Sequence, residues 1–205
     1  MKPILFNTQM VRAILDGRKT VTRRLIKPQP QSPVAFEQGQ WCETVPCANG
    51  IRVLVPPFEP GDVLYVRETW AMAGELPGIS EEGIVYMADL TATEIQYTKD
   101  RHFRWRPSIH MPKAAARIFL KVVSVRTERL QDMVLADVLM EGIAEGDSYA
   151  DTWKRWRDLW DSTIDPADLP VYGWEANPWT WVIRFEQCEK RQEVQQDGDK
   201  NPGDT

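Results

Sequence analysis

The chain has 205 residues, 42% of them hydrophobic, and a formal net charge of −5 at pH 7. That length fits one domain with a sizeable core, and three cysteines are too few for a disulfide scaffold. The first residues have no small-residue cleavage site and no apolar run approaches the roughly 18 residues of a membrane span, so we expect a cytoplasmic protein without a membrane partner.

The distribution of charge is more informative than its sum. Residues 1–30 hold seven basic side chains against one acidic, and residues 99–129 hold nine against two. If the two segments meet, they can focus a positive potential on one cleft of an acidic protein and so attract nucleic acid. The alternative is that these are solvated charges on unrelated faces.

The N-terminal pattern predicts a strand, a helix and a second strand. Residues 3–6 are a short apolar run, and residues 9–15 carry an apolar stripe at helical spacing. Thr8 is a candidate N-cap, and Gly17 stands where a left-handed C-terminal cap is expected. Residues 20–26 are rich in β-branched side chains and predict the next strand.

The middle of the chain predicts short strands separated by loops. Residues 29–60 are rich in Pro, Gly and Gln, which indicates an inserted hairpin or loop. A Pro-Gly turn then leads into a strand over residues 63–67, and a loop over residues 74–83 leads into a short strand over residues 84–88.

The C-terminal part predicts two more strands and two helices. In order these are a tight loop (106–112), a strand (117–125), a helix (130–139) stopped by Gly142, a helix (151–162), a loop (166–178), a strand (179–186) and a disordered tail (187–205). Five to seven short strands with two or three outlying helices predict one α+β domain over residues 1–186. Its expected architecture is a small mixed β-barrel with flanking helices and inserted loops.

The densest group of candidate functional residues is GRKTVTRR, residues 17–24. Arginine can bind an oxyanion through two parallel hydrogen bonds, and a lysine crowded by other cations loses its proton more readily. Lys19 is therefore a candidate base and Thr22 a candidate nucleophile. Strand alternation puts Thr20, Thr22 and Arg24 on one face, so Lys19 reaches Thr22 only from the turn before the strand. The alternative is a solvated basic turn.

Several motifs resemble one family in matching order. GRKTVTRR resembles the signature of the ASCH superfamily, and GDVLYVRETW (61–70) resembles the strand that follows it there. Further similarities are WRPSIHMP (105–112), EGI (141–143) and NPWTWVIRFE (177–186). Together they cover roughly residues 2–186 and are similar to a phage- and prophage-associated ASCH subgroup.

The resemblance implies a PUA-like β-barrel that binds RNA or modified nucleotides. Some small members are amidohydrolases that remove the acetyl group from N4-acetylcytidine, and ribonuclease activity is also associated with the superfamily. In those amidohydrolases the catalytic residues are a lysine, a threonine three residues later and a glutamate at a helix end.

This resemblance places the catalytic set at Lys19 (base), Thr22 (nucleophile) and Glu141 (proton donor or positioning group). Arg24 would then bind an oxyanion or a phosphate. The chain is about twice as long as the small enzymes and its Trp-rich loops have no counterpart in them, which implies a different or larger substrate.

A second candidate group surrounds Trp105, which lies between Arg104 and Arg106. Aromatic rings interleaved with arginine can stack bases and pair with phosphates, although a core tryptophan is the alternative. The residues expected to contact substrate are Arg18, Thr20, Arg23, Arg24, Arg67, Glu68, Trp70, Trp105, Arg106, Ser108 and His110.

Some of these residues have simpler interpretations. His110 could act in acid–base chemistry, but no carboxylate partner is evident. Glu68 follows Arg67 directly and could merely pair with it. The tryptophans at 153, 156 and 160 have helical spacing, which favours packing over recognition.

The cysteines leave two alternatives. Cys42 and Cys47 could form half of a zinc site, but a tetrahedral site needs four ligands, and reduced thiols are the simpler interpretation. We expect no metal and no cofactor.

The sequence therefore predicts a protein that handles nucleic acid or nucleosides. One hypothesis is hydrolysis of an acylated or otherwise modified cytidine-type nucleoside, or of RNA. The alternative is a non-catalytic module of phage origin that binds RNA or a modified base, and a weaker third hypothesis is a protein-interaction role. The expected partner is a modified nucleoside or single-stranded RNA or DNA, and the sequence does not indicate an oligomeric state.

Overall fold

The computed structural model describes residues 1–44, 52–76 and 83–190 and has a mixed α+β fold. Its strands are β1 (Lys2–Leu5), β2 (Val21–Leu25), β3 (Val34–Glu37), β4 (Gln40–Glu43), β5 (Val53–Leu54), β6 (Val63–Arg67), β7 (Trp70–Met72), β8 (Ile84–Tyr86), β9 (Phe119–Arg129) and β10 (Trp179–Cys188). Its α-helices are α1 (Thr8–Leu15), α2 (Ala92–Asp100), α3 (Leu135–Met140), α4 (Tyr149–Ser162) and α5 (Leu169–Tyr172).

The central sheet has five strands in the order β1-β6-β9-β10-β2. β1 pairs with β6 in parallel, whereas the other neighbours are antiparallel. β1 and β2 are therefore the two edges, and no backbone ladder between described residues closes the sheet into a barrel. Instead the Arg24 side chain on β2 reaches across and donates to the Leu5 carbonyl on β1 at 2.9 Å. The α+β class is confirmed, and the PUA-like identity stays a prediction.

The predicted insertion forms its own small sheet, β3-β4-β5. It packs against the central sheet through Trp41, whose ring meets the Trp181 ring of β10 edge-on at 5.7 Å. A second small sheet pairs β7 with β8. The main core lies between the central sheet, α1 and α4, and a smaller one gathers around Trp70 and Met111.

Helix ends follow local hydrogen bonding. Asn7, and not Thr8, caps α1, because its side chain accepts from the Met10 backbone N–H at 2.8 Å. Gly17 has the predicted left-handed conformation, with φ of 73°. The sequence prediction missed α2, although Thr91 and Glu94 form a capping box at its start.

Several boundaries in the C-terminal part differ from the prediction, and the predicted loop at 166–178 contains the short helix α5. β9 runs on to Arg129 because its polar residues pair with β10, so the predicted helix at 130–139 is shortened to a 3₁₀ turn followed by α3. β10 continues to Cys188, which pairs with Phe119, so the polar segment from residue 187 begins as strand. The rest of the predicted tail from residue 191, and Cys47, lie outside the described residues. None of the described helices is long and apolar enough to cross a membrane.

Candidate functional site

Lys19 is buried in the turn between α1 and β2, with 3% of the residue exposed. Its Nζ donates to three oxygens: Glu141 Oε2 at 2.6 Å, Glu141 O at 2.8 Å and Val21 O at 2.8 Å. An ammonium has three donors and no acceptor, so this geometry matches a protonated lysine with every hydrogen engaged. The Phe6 ring centre lies 5.4 Å from the same nitrogen and adds a cation–π contact.

Glu141 reaches Lys19 because the end of α3 pairs with the turn before β2. The Thr20 N–H donates to the Met140 carbonyl at 2.9 Å, and Lys19 and Glu141 form an isolated antiparallel bridge. Gly142 then turns the chain with φ of 89°. A Cβ at Gly142 would lie 2.6 Å from the Ala13 Cβ and 2.9 Å from the Lys19 Cβ, so this position needs glycine for space as well as for backbone conformation.

Arg23 holds the other oxygen of the same carboxylate. Its side chain is fully buried, and Nη1 donates to Glu141 Oε1 at 3.1 Å. Nε donates to Glu128 Oε1 at 2.9 Å, and Asp137 lies 3.8 Å from Nη2. Glu141 thus bridges two buried cations, and this network fixes its position.

These residues line a cleft of about 180 Å³, which we call the Lys19 cleft. It is lined by Leu5, Phe6, Asn7, Met10, Lys19, Thr22, Arg23, Arg24, Glu141, Trp156, Leu159, Trp160 and Thr163. Thr22 is buried and its hydroxyl makes no hydrogen bond to a described residue. The three residues that the family resemblance assigns to catalysis therefore share one cleft with Arg23 and Arg24.

The apolar walls of this cleft were not foreseen as functional. Phe6 comes from the end of β1, and Trp156 and Trp160 come from α4, where helical spacing predicted packing alone. Both tryptophans belong to the core and also line the cleft. Trp160 Nε1 donates to the Tyr172 carbonyl at 2.9 Å, whereas the buried Trp156 Nε1 has no partner among the described residues. Trp156 and Trp160 are four residues apart, which is consistent with one face of the helix, but only the fold shows that this face borders the Lys19 cleft.

Burial lowers the pKa of Lys19 below its ordinary value, and the neighbouring charges of Arg24 and Arg23 lower it further. Glu141 acts in the opposite direction, through its charge and its hydrogen bond. A 2.6 Å contact between Nζ and Oε2 gives the proton a short path between amine and carboxylate. The site can therefore hold an ion pair at rest and supply a neutral amine when the proton moves to Glu141.

The remaining residues of the turn support its shape. Arg18 is exposed and stabilises the turn, because it donates to the Gly142 carbonyl at 2.8 Å and to Asp16 at 2.9 Å. Thr20 acts through its backbone, accepting from the Phe185 N–H at 2.9 Å. Neither residue lines the Lys19 cleft.

The remaining candidates do not line this cleft. They are Arg67, Glu68, Trp70, Trp105, Arg106, Ser108 and His110, and none of them is among the described residues that line it. Trp105 is half-buried, donates from Nε1 to Thr98 Oγ1 at 3.2 Å and meets the Phe103 ring edge-on. Its indole is thus satisfied within the protein, which is the geometry of a packing tryptophan.

The neighbours of Trp105 also have local partners. Arg106 pairs with Glu75 at 2.5 Å and lies 4.9 Å over the buried Trp70 ring. Arg67 donates to the Met111 carbonyl at 2.8 Å. Ser108 and the exposed His110 belong to a 3₁₀ turn.

Glu68 pairs with Arg117 and not with Arg67. Two hydrogen bonds of 2.9 and 3.1 Å join them, and Asp89 accepts a third hydrogen bond from the same guanidinium at 2.7 Å. Burial raises the pKa of Glu68, and Arg117 opposes that rise. The simple ion pair expected for Glu68 is thus present with a different arginine.

About half of the cations of the two basic segments form ion pairs with described carboxylates. Lys19, Arg23, Arg106, Arg117 and Arg126 all form ion pairs with carboxylates. The segments meet on either side of β10, but acidic side chains lie between them. These ion pairs reduce the positive charge of the two segments, and Arg24 and Lys27 are among the cations that make no ion pair with a described residue.

No group of three or more potential metal ligands occurs among the described residues. Cys42 is buried and Cys188 half-buried, both as free thiols.

Comparisons with protein-family models, with curated proteins and with solved structures found no match. The ASCH resemblance therefore stays a prediction based on the motifs quoted above.

Proposed function

We propose that the protein hydrolyses an acyl amide on a nucleobase of the N4-acetylcytidine type, with the acylated base bound in the Lys19 cleft. The observation that carries this proposal is the convergence of Lys19, Thr22 and Glu141 on one cleft, although 119 residues separate Thr22 from Glu141 in sequence. A volume of about 180 Å³ suits a single base and not a folded RNA. The walls of Phe6 and Trp156 offer apolar and aromatic surface to a flat ring.

The chemistry uses the proton shared by Lys19 and Glu141. Transfer of that proton to Glu141 leaves a neutral amine, which takes the hydroxyl proton of Thr22 as its oxygen attacks the acyl carbon. Glu141 gives its proton to the departing base nitrogen, and the acyl group remains as an ester on Thr22. Arg24 is placed to stabilise the negative charge on the acyl oxygen.

Water then releases the acyl group by the reverse sequence. The proton again moves from Lys19 to Glu141, the amine takes a proton from the attacking water, and Glu141 returns its proton to the Thr22 oxygen. Carboxylic acid leaves, and the resting ion pair is restored. Arg23 keeps Glu141 in place through both halves of the reaction.

Thr22 gives the sharpest test, because its hydroxyl makes no hydrogen bond to a described residue whose loss would destabilise the fold. Thr22→Val conserves shape and should lower the rate of cytidine release from N4-acetylcytidine at least a thousandfold, as expected for loss of a nucleophile. Thr22→Ser retains a hydroxyl and should keep measurable activity. Wild-type protein that releases no cytidine, or a Thr22→Val variant as active as wild type, would reject the proposal.

One observation favours the second candidate, a module that binds a modified base without chemistry. All three Lys19 hydrogens are engaged in the resting state, and none of them reaches Thr22. This candidate predicts that wild type and Thr22→Val bind N4-acetylcytidine equally well and that neither turns it over. Calorimetry beside the rate measurement separates the two functions.

A further inference from the structure

A second and larger cleft adjoins the Lys19 cleft. It measures about 640 Å³ and lies between the sheet edges β1 and β2 and the inserted segment, so we call it the edge cleft. Leu5 and Arg24 line both clefts. The two clefts therefore meet at these two residues, where the Arg24 side chain donates to the Leu5 carbonyl.

The lining of the edge cleft is basic and apolar. Its charged members are Arg24, Lys27 and Arg52, and none of its described lining residues is acidic. Arg52 is occupied, because it pairs with the buried Glu43 at 3.0 Å and donates to the Pro28 carbonyl at 2.9 Å. It serves to hold the insertion against the sheet.

Lys27 and Arg24 differ from Arg52 in having no ion pair among the described residues. Lys27 is exposed, and its Nζ lies 4.5 Å from the centre of the Tyr172 ring. Arg24 donates one hydrogen bond to the Leu5 carbonyl and packs over Phe6 at 5.3 Å. Two cations that make no ion pair with a described residue thus line one cleft, where they attract an anion.

We infer that the edge cleft binds the phosphate next to the base held in the Lys19 cleft, so that the substrate is a nucleotide or a single strand and not a free nucleoside. The inference rests on the proposed function for the identity of the base. A phosphate lies one sugar away from its base, which fits two adjoining clefts that meet at Arg24. Apolar residues that also line the edge cleft, including Trp181 and Phe58, offer surface to the sugar or to a following base.

Binding of unmodified ligands tests this inference without requiring turnover. Cytidine, cytidine monophosphates and a short oligocytidylate are titrated into wild-type protein by calorimetry. A phosphate that meets Lys27 should tighten binding about tenfold or more. Lys27→Ala should remove most of that gain, whereas Lys121→Ala, which removes an exposed lysine of β9 outside both clefts, should keep it.

The ligands and the salt dependence separate a nucleotide from a strand. A gain for the monophosphates identifies a nucleotide site, whereas a gain for the oligonucleotide alone identifies a strand site. In the second case the logarithm of affinity should fall with a slope of about −0.7 per phosphate contact, and Lys27→Ala should reduce that slope.

Equal affinity for cytidine and for every phosphorylated ligand would overturn the inference. A phosphate gain that survives both Lys27→Ala and Lys27→Glu would overturn it as well. Failure of the proposed function has a different signature, since it shows as absent turnover of N4-acetylcytidine and its 5′-phosphate while the phosphate gain in binding persists.

Discussion

Glu141 and Glu68 are both buried carboxylates paired with basic side chains, but their surroundings differ. Glu141 bridges Lys19 and Arg23 at the wall of a cleft, beside a hydroxyl that makes no hydrogen bond to a described residue. Glu68 pairs with Arg117 next to the small core around Trp70 and lies outside both the Lys19 cleft and the edge cleft.

The difference shows what distinguishes a candidate site from a structural ion pair. Burying a charge pair costs desolvation energy, so a buried pair is weak evidence of a stabilising role. Both pairs are therefore candidates for a functional role. Only the Glu141 pair combines a cavity, an unengaged hydroxyl and a lysine whose pKa is lowered by burial. The predictions that follow are ways to test this contrast.

The largest expected effect is on stability when the two carboxylates are neutralised. Glu141→Gln leaves two fully buried cations without their shared partner, so the free energy of unfolding should fall by about 3–5 kcal/mol. Glu68→Gln should cost about 1–3 kcal/mol, because Arg117 is 27% exposed and keeps Asp89.

Urea denaturation of both variants measures this difference. Glu145→Gln, at an exposed acid, is the matched control and should change the free energy of unfolding by less than about 0.5 kcal/mol. If Glu141→Gln and Glu68→Gln lowered the free energy of unfolding equally, the predicted difference between the two ion pairs would be contradicted.

An intermediate effect is expected at the glycine beside the Lys19 cleft. Gly142→Ala adds a methyl group into Ala13 and Lys19 at a positive φ, and the two penalties together predict a loss of about 2–5 kcal/mol. Gly17→Ala has a similar φ of 73° but open space, so it should cost only about 1–2 kcal/mol. Thermal unfolding that ranks Gly17→Ala as the more damaging would contradict the described packing.

The smallest expected effect is a shift in the pH dependence of activity. The reaction uses the single proton shared by Lys19 and Glu141, so kcat/KM should fall as the pH rises through the lowered pKa of Lys19 and that proton is lost. The Arg24 charge lowers that pKa, so Arg24→Gln should raise it and move the falling limb to higher pH.

Arg155→Gln provides the control, since that arginine is exposed and outside both clefts. Its pH profile should match that of wild type. A limb that moves to lower pH in Arg24→Gln, or moves equally in both variants, would contradict the role assigned to Lys19.

The sequence predicted the strands flanking the site well. The predicted bounds of β6 match the structure at both ends, and those of β2 differ by one residue at each end. Runs of β-branched residues bounded by Pro and Gly are a strong strand signal. The turn holding Lys19 followed from Gly17, whose left-handed conformation is present. Missing α2 was avoidable, since Thr91 and Glu94 carry a capping signal.

The sequence could not separate the two groups of candidates. Lys19 and Arg106 both lie in basic segments. The family resemblance grouped Lys19 with Glu141, whereas only the fold reveals that Arg106 faces Glu75. The role of Trp156 was similarly hidden, because helical spacing identifies a shared face but not the cleft that it borders. The local sequence pattern determines the secondary-structure elements, whereas the ion-pair partner of a charged side chain depends on contacts between distant segments of the chain.

The most direct test of the Lys19 cleft as a catalytic site is the rate of cytidine release from N4-acetylcytidine, measured in parallel for wild type, Thr22→Val and Glu68→Gln at a temperature where all three are folded. We expect wild type and Glu68→Gln to release cytidine at similar rates and Thr22→Val to release essentially none. Equal rates for Thr22→Val and wild type, or no release by wild type, would contradict the account.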